Sequence, residues 1–244
     1  MTSMHDDLNN PATAALWGKV VEGFKYISGS GWENRANYEH FWSLVRHLYK
    51  LAYGEKAELP VEYKASLAFM FAGHAGRIRK GIRPRPYFHH ILMVVYLAWL
   101  LRLPSYLIAA AIHHDDIEDI PKNLGVTDLW VIAELKWLIS EPSLETVVNL
   151  TNKQHPDGKH AGQMEKMATI HTEEATLKLI DRICNLWDMR RDKPKDFTPD
   201  RIRQECTNAQ QLADAMPTPA PPEVLALLRI SINLLLKENS LTPA

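Results

Sequence analysis

Apolar and aromatic residues recur at intervals of three and four along most of the chain. LWGKVVEGFKYI (16–27) and YEHFWSLVRHLYKLAY (38–53) have this spacing, which predicts two helices with SGSGWEN as the turn between them. ELPVEYKASLAFMFAGHAG opens another helix, with Pro60 near its start. YFHHILMVVYLAWLLRL and PSYLIAAAIHHDD are apolar nearly all round, so these two helices belong at the centre of a domain. The span 125–151 reads as one or two further helices, and a single long helix is expected from about Met164 through TLKLIDRICNLWDMR. Between elements, IRKGIRPRP (78–86) is a basic loop with one glycine and two prolines, and NKQHPDGKHAG (152–162) is a polar loop. KPKDFTPD marks a break, with Thr198 as N-cap and Pro199 at the first helical position. PTPAPPE (217–223) marks another, before VLALLRISINLLL, whose leucine stripe reads as core or as an oligomer face. No strand pair and no repeat is evident. The pattern predicts an all-α bundle: a helical extension over 1–60, a central domain over 61–195, and C-terminal helices over 196–244 packed on it.

Composition narrows the function classes. Of 244 residues, 46% are hydrophobic, enough for a sizeable core. Twenty-eight basic against 29 acidic residues leave a formal net charge of −1, which argues against nucleic-acid binding through bulk charge. Two cysteines, Cys184 and Cys206, are too few for a disulfide framework or a thiolate zinc site and read as small apolar residues. The N-terminal MTSMHDDLNNP is polar and acidic, unlike a signal or transit peptide. No apolar segment is long enough to span a bilayer. The expectation is a soluble, cytoplasmic protein without a membrane or nucleic-acid partner.

The stretch HHDDIED (113–119) changes the picture. Burying charge without a partner is expensive, so acids this close to the apolar YLIAAAI normally pair, bind a metal or do chemistry. Read as the end of one helix, His114 and Glu118 lie four apart, as do Asp115 and Asp119, and each pair shares a face. Such a cluster repels itself unless a cation sits among the acids; the plainer alternative is a solvated acidic helix end. Two other places supply partners. His90 opens an apolar helix, and Asp181 is flanked by leucines and isoleucines in TLKLIDRICNL, with Asn185 one turn further on. Two imidazoles and two carboxylates form a mixed donor set that suits manganese, iron or zinc better than calcium.

The order His90, then His114-Asp115, then Asp181 resembles the HD-domain phosphohydrolases. The fuller pattern is similar to one branch, the hydrolase domain of the RelA/SpoT family and the stand-alone small alarmone hydrolases of the stringent response. HAGRIRKGIRPRPYFHH matches that branch's His-x-Gly and Arg-Lys followed by Pro-Tyr-x-x-His; HDDIED (114–119) matches HDxxED; KLIDRICNL (178–186) matches Lys-Leu-Ala-Asp-Arg-x-x-Asn-Leu. The resemblance runs from about Phe71 to Met189. This chain departs from it at Arg77 (usually glutamine), Ile91 (commonly proline), Asp116 (usually apolar or threonine) and Ile180 (alanine). The Phe-Gly that often follows the ED helix is missing.

What the resemblance implies is an HD-domain helical bundle in which His90, His114, Asp115 and Asp181 hold one divalent metal, Mn²⁺ first, with Zn²⁺ or Fe²⁺ as alternatives. Glu118 and Asp119 are then the catalytic pair that orients and deprotonates water; Arg79, Lys80 and Asn185 bind the nucleotide. The implied reaction removes the 3′-pyrophosphate of ppGpp or pppGpp, giving GDP or GTP and pyrophosphate. The alternatives are another nucleotide (an adenosine alarmone, NADPH or a dNTP) and an antitoxin-like neutraliser of a cognate alarmone synthetase. A homo-oligomer is compatible with either. His90 and His114 are preferred to their doublet partners His89 and His113. Asp116 is expected at the surface or in a salt bridge, and His74 in a structural role. Arg77, Arg83 and Arg85 surround the basic loop and can attract a phosphate ligand. A second metal at His155, His160 and His171 is without support.

Overall fold

A computed structural model of the chain describes residues 4–29, 37–81, 85–152 and 155–241, with Met4 and His5 described by their backbone alone. The architecture is all-α. The described residues divide into two compact units, one of Lys19–Arg79 with Pro84–Thr151, the other of Met1–Gly18, Lys80–Arg83 and Asn152–Ala244. Helices α1 (Met4–Asn9) and α2 (Pro11–Gly29) open the chain.

The Lys19–Thr151 unit takes the second part of α2, then α3 (Tyr38–Tyr53), α4 (Val61–Gly73), α5 (Phe88–Leu100), α6 (Ser105–His113), α7 (Asp116–Leu124), α8 (Asp128–Leu138) and α9 (Glu141–Leu150). Phe88 through Trp99 are all buried, so α5 is the unit's centre, as its nearly unbroken apolar sequence predicts. It packs against α3 and α6, and α6 packs against α4 and α9. Phe41, Phe71 and Phe88 close an aromatic triangle with centroids 4.6, 5.3 and 5.5 Å apart, fastening the end of α4 to the start of α5. Each such pair contributes about 0.5–1.5 kcal/mol beyond the area it buries. Gly73 lets α4 approach α7: a Cβ there would run into the fully buried Ile120 side chain. The Asn123 side-chain amide locks the same contact by donating to the Gly73 carbonyl at 2.7 Å.

The basic loop holds a feature the sequence reading did not anticipate, a minimal antiparallel ladder of β1 (Ile78–Arg79) and β2 (Arg85–Pro86), in register Ile78↔Pro86 and Arg79↔Arg85. Pro86 lacks an N–H, and the next amide, Tyr87, continues the pairing to the Arg77 carbonyl at 2.9 Å. Two-residue strands carry too little alternation to be seen as a pattern.

The other unit contains α1, the start of α2, α10 (Lys159–Thr169), α11 (Thr172–Asp192), α12 (Pro199–Asp214) and α13 (Pro222–Glu238). Helix α11 packs on α12 and α13, and the leucine stripe of α13 is core: Val224, Leu227, Leu228, Ile230, Leu235 and Leu236 are buried. Asp7 and Arg229 pair bidentately at 2.6 and 2.8 Å, tying α1 to α13. The expected cap is present, with the Thr198 hydroxyl accepting from the Arg201 amide at 3.2 Å and Pro199 in the first turn.

Two helix expectations change. The span 125–151 is two helices, α8 and α9. The single long helix expected from Met164 is broken at Ile170 and His171, both extended. There a capping box operates: the His171 side chain accepts from the Glu174 amide, and the Glu174 carboxylate accepts from the His171 amide at 3.3 Å. A histidine as N-cap hides from a search for serine, threonine or aspartate. No described helix is long and apolar enough to cross a membrane.

Candidate metal and hydrolase centre

The central stretch is not one helix end. Helix α6 stops at His113 and α7 starts at Asp116, leaving His114 and Asp115 in the turn between them. Both turn residues keep right-handed helical dihedrals, and the Asp119 amide donates to the Asp115 carbonyl at 3.0 Å, so the expected i, i+4 relation of Asp115 to Asp119 is kept across the break. The turn brings His114 and Asp115 toward the start of α5. His114 Nδ1 lies 2.8 Å from the Ala111 carbonyl, which can only accept, so Nδ1 carries a proton and the ring is held with Nε2 toward Asp115. That Nε2 is 3.3 Å from Asp115 Oδ2, and His90 Nε2, from the first turn of α5, is 3.9 Å from the same oxygen. Both imidazoles are buried, with ring centroids 5.5 Å apart. The structure thus brings His90, not His89, together with His114 and Asp115. His89 sits edge-on to Phe88, and His113 is engaged elsewhere.

Tyr87 caps this group. Its hydroxyl donates to Asp115 Oδ2 at 2.8 Å. Burial, and after it the Asp115 charge, push the phenol far above its ordinary range, so it stays a donor. The His74 ring stacks on Tyr87 at 5.0 Å, and the guanidinium groups of Arg77 and Arg79 stand 4.6 and 5.4 Å from its centroid. The sequence reading gave Tyr87 no role. Its signal was the spacing in Pro86-Tyr87-x-x-His90, which puts the two side chains on adjacent turns.

Asp116 is not at the surface. It is fully buried between two fully buried imidazoles, with His113 Nδ1 at 2.7 Å from Oδ2 and His74 Nε2 at 3.0 Å from Oδ1. Burial alone raises a carboxyl, but the His113 and His74 contacts together outweigh it and hold Asp116 below the usual carboxylate range. The apolar His113-flanking run and Ile117 were the available hint that this acid points inward.

The remaining candidates have specific partners. Asp119 Oδ1 is 3.2 Å from Arg77 and 3.5 Å from Lys122, and Arg77 also donates to the Asp119 carbonyl at 3.1 Å. Glu118 is half-buried on the first turns of α7, and Lys80 is exposed. Arg85 donates to Ser28 at 3.3 Å, whereas Arg83 lies outside the described residues. In the other unit, Asp181 is buried on α11. Its Oδ2 is 3.3 Å from the buried Lys178, and its Oδ1 accepts from Asn185 at 2.7 Å. Asn185, one turn on, thus orients the Asp181 carboxylate. His155 pairs with Glu165 and His160 meets Gln211, while His171 caps its helix, so these three serve separate contacts.

No protein-family model matches this chain, and no curated protein sequence matches it. Its fold is that of a solved structure of a metazoan ortholog of SpoT that hydrolyzes ppGpp and plays a role in starvation responses. The likeness has a TM-score of 0.61 at 17% identity and covers 76% of this chain and 99% of that one. At that identity the likeness is one of all-α fold.

Proposed function

We propose that this protein is a metal-dependent phosphohydrolase that removes the 3′-pyrophosphate of guanosine tetra- or pentaphosphate. The observation that carries the reading is the convergence of His90 Nε2 and His114 Nε2 on one oxygen of Asp115. The motif order and the likeness in fold support it.

His90, His114, Asp115 and Asp181 would hold one divalent cation. A mixed nitrogen and carboxylate set with its histidine tautomer fixed by a backbone carbonyl fits manganese, iron or zinc. When bound, such a cation supplies Lewis acidity against the negative charge gathering on the phosphate. The chain's own residues do the rest. Glu118 and Asp119 together orient the attacking water and take its proton, with Arg77 holding Asp119 at 3.2 Å. A positioned carboxylate base contributes on the order of 10²–10⁴ in rate. Arg79 and Lys80 hold the nucleotide from the loop, a planar guanidinium suiting a purine face, and Asn185 holds it from α11. Water attacks phosphorus, the bond to the 3′ oxygen breaks, the proton taken from water passes to that oxygen, and GDP or GTP leaves with pyrophosphate.

The test is a Mn²⁺ assay over ppGpp, pppGpp, an adenosine alarmone, NADPH and dNTPs, with products identified by phosphorus NMR. The reading expects pyrophosphate and GDP from ppGpp, lost in Asp181→Ala. Orthophosphate from NADPH, triphosphate from dNTPs, or no turnover would each replace it. Protection of cells from an alarmone synthetase that survives Glu118→Gln would point to a neutraliser that masks its partner.

A further inference from the structure

A cavity of about 640 Å³ lies between α3 and the segment 57–64, which runs into the first turn of α4. That volume is within the range of small-molecule sites, and no residue placed in the hydrolase centre lines it. Trp42, Arg46, Tyr49 and Lys50 line it from α3, where their spacing puts them on one side of the helix. Glu58 and Lys64 line it from the other wall. Neighbours hold both rings in place. Trp42 is edge-on to Tyr38 and Phe41 at 5.9 and 5.2 Å, and Tyr49 packs on Tyr53 at 4.6 Å and Trp99 at 5.1 Å.

The lining carries chemistry that the fold does not use. Tyr49 is 8% exposed, yet its hydroxyl makes no hydrogen bond among the described residues. A polar group this deep normally has a partner. Burial, and after it the neighbouring Tyr53, raise the phenol above its ordinary range, so it is a proton donor in the cavity wall. Arg46 and Lys64 enter no ion pair among the described residues. Lys50 meets only the exposed Glu55, at 3.5 Å, a contact worth little. Three cations against one carboxylate leave the lining with a surplus of two positive charges.

We propose that this cavity is a binding site for a nucleoside monophosphate, separate from the hydrolase centre. A phosphate monoester carries a charge of about −1.5 to −2 at neutral pH, which the surplus of cations matches. Arg46 supplies a planar fork for its oxygens, and Lys50 and Lys64 add point charges. Trp42 supplies a π-face on which any base can stack. Glu58 accepts from the N–H groups of the base, and the Tyr49 hydroxyl donates to the phosphate or the ribose. A purely apolar ligand would leave the cations and the hydroxyl unused. Inorganic phosphate alone would leave the indole face and most of the volume unfilled. This inference does not rest on the hydrolase reading.

Calorimetric titration of the full chain with GMP and AMP, without divalent metal, tests it. Both should bind, while guanosine and inorganic phosphate should each bind roughly tenfold more weakly or worse. Arg46→Glu should weaken both mononucleotides by roughly 10–100-fold, the worth of a hydrogen bond between charged groups. Arg79→Ala, which alters the loop proposed to hold the hydrolase substrate, should leave this binding unchanged. Arg46 is exposed, so the variant's circular dichroism should match the wild type; Lys64→Glu is the second variant should it not. Tyr49→Phe removes only the hydroxyl and should weaken binding roughly two- to tenfold. A wild type that binds neither mononucleotide overturns the proposal. So does binding that Arg46→Glu or Tyr49→Phe leaves intact, binding lost in Arg79→Ala, or guanosine or phosphate bound as tightly as GMP.

Discussion

His113 Nδ1 stands 2.7 Å from Asp116 Oδ2, three residues further along the chain, and neither side chain has any exposure to solvent. His74 takes the other carboxylate oxygen at 3.0 Å. A carboxylate only accepts, so each facing nitrogen carries its proton, and one buried anion ties the end of α4 to the turn that bears His114 and Asp115. Asp116→Asn keeps the shape and removes the charge, leaving one imidazole N–H facing an amide N–H. Leaving a buried donor unsatisfied in this way costs about 1–3 kcal/mol. Urea denaturation should show a loss of that size, and a change below about 1 kcal/mol would mean the pair is not what secures the turn.

Tyr87→Phe isolates a single hydroxyl. The ring remains to stack on His74 and to face Arg77 and Arg79, while the hydroxyl's 2.8 Å bond to Asp115 and its interaction with Asp119 are lost. Stability should fall by about 1 kcal/mol. On the proposed function, an outer group that aims a metal ligand is worth about 10–100-fold in affinity. Calorimetric titration with Mn²⁺ should show that loss, while equal affinity would remove Tyr87 from the site's support.

How much of this was legible beforehand varies by element. Helix α3 lies where its apolar spacing put it, residues 38–53, because its core face repeats without interruption. The Thr198-Pro199 start of α12 was equally plain, since those residue types have one common use together. The breaks at His171 and at His114-Asp115 were not. In both, the chain leaves the helix with residues that also fit within one, and tertiary contacts choose. Periodicity did mark α5 as buried all round, but gave α8 no such reading, because which of its two apolar faces meets the core depends on α7 and α9. Asp116 shows the same limit: its neighbours in sequence say it is near the core, and only the fold supplies His74, 42 residues away.

Cys206 offers a check on the interior of the other unit. Burial, and then the adjacent Glu205, push its thiol up to about 12. A raised value keeps it a protonated, unreactive thiol up to that pH, and Cys184 is fully buried. Native protein at pH 8 should give almost no reaction with a thiol-disulfide reagent within minutes, and two thiols per chain should appear on unfolding. Fast labelling of the native protein would mean that α12 opens readily.

The most direct test of the account is the number of Mn²⁺ ions held per chain, measured by electron paramagnetic resonance on wild type, His114→Ala and Asp181→Ala. One tightly held ion in the wild type, lost or greatly weakened in both variants, is the predicted result. An ion that binds equally well without either side chain, or no specific ion at all, would contradict it.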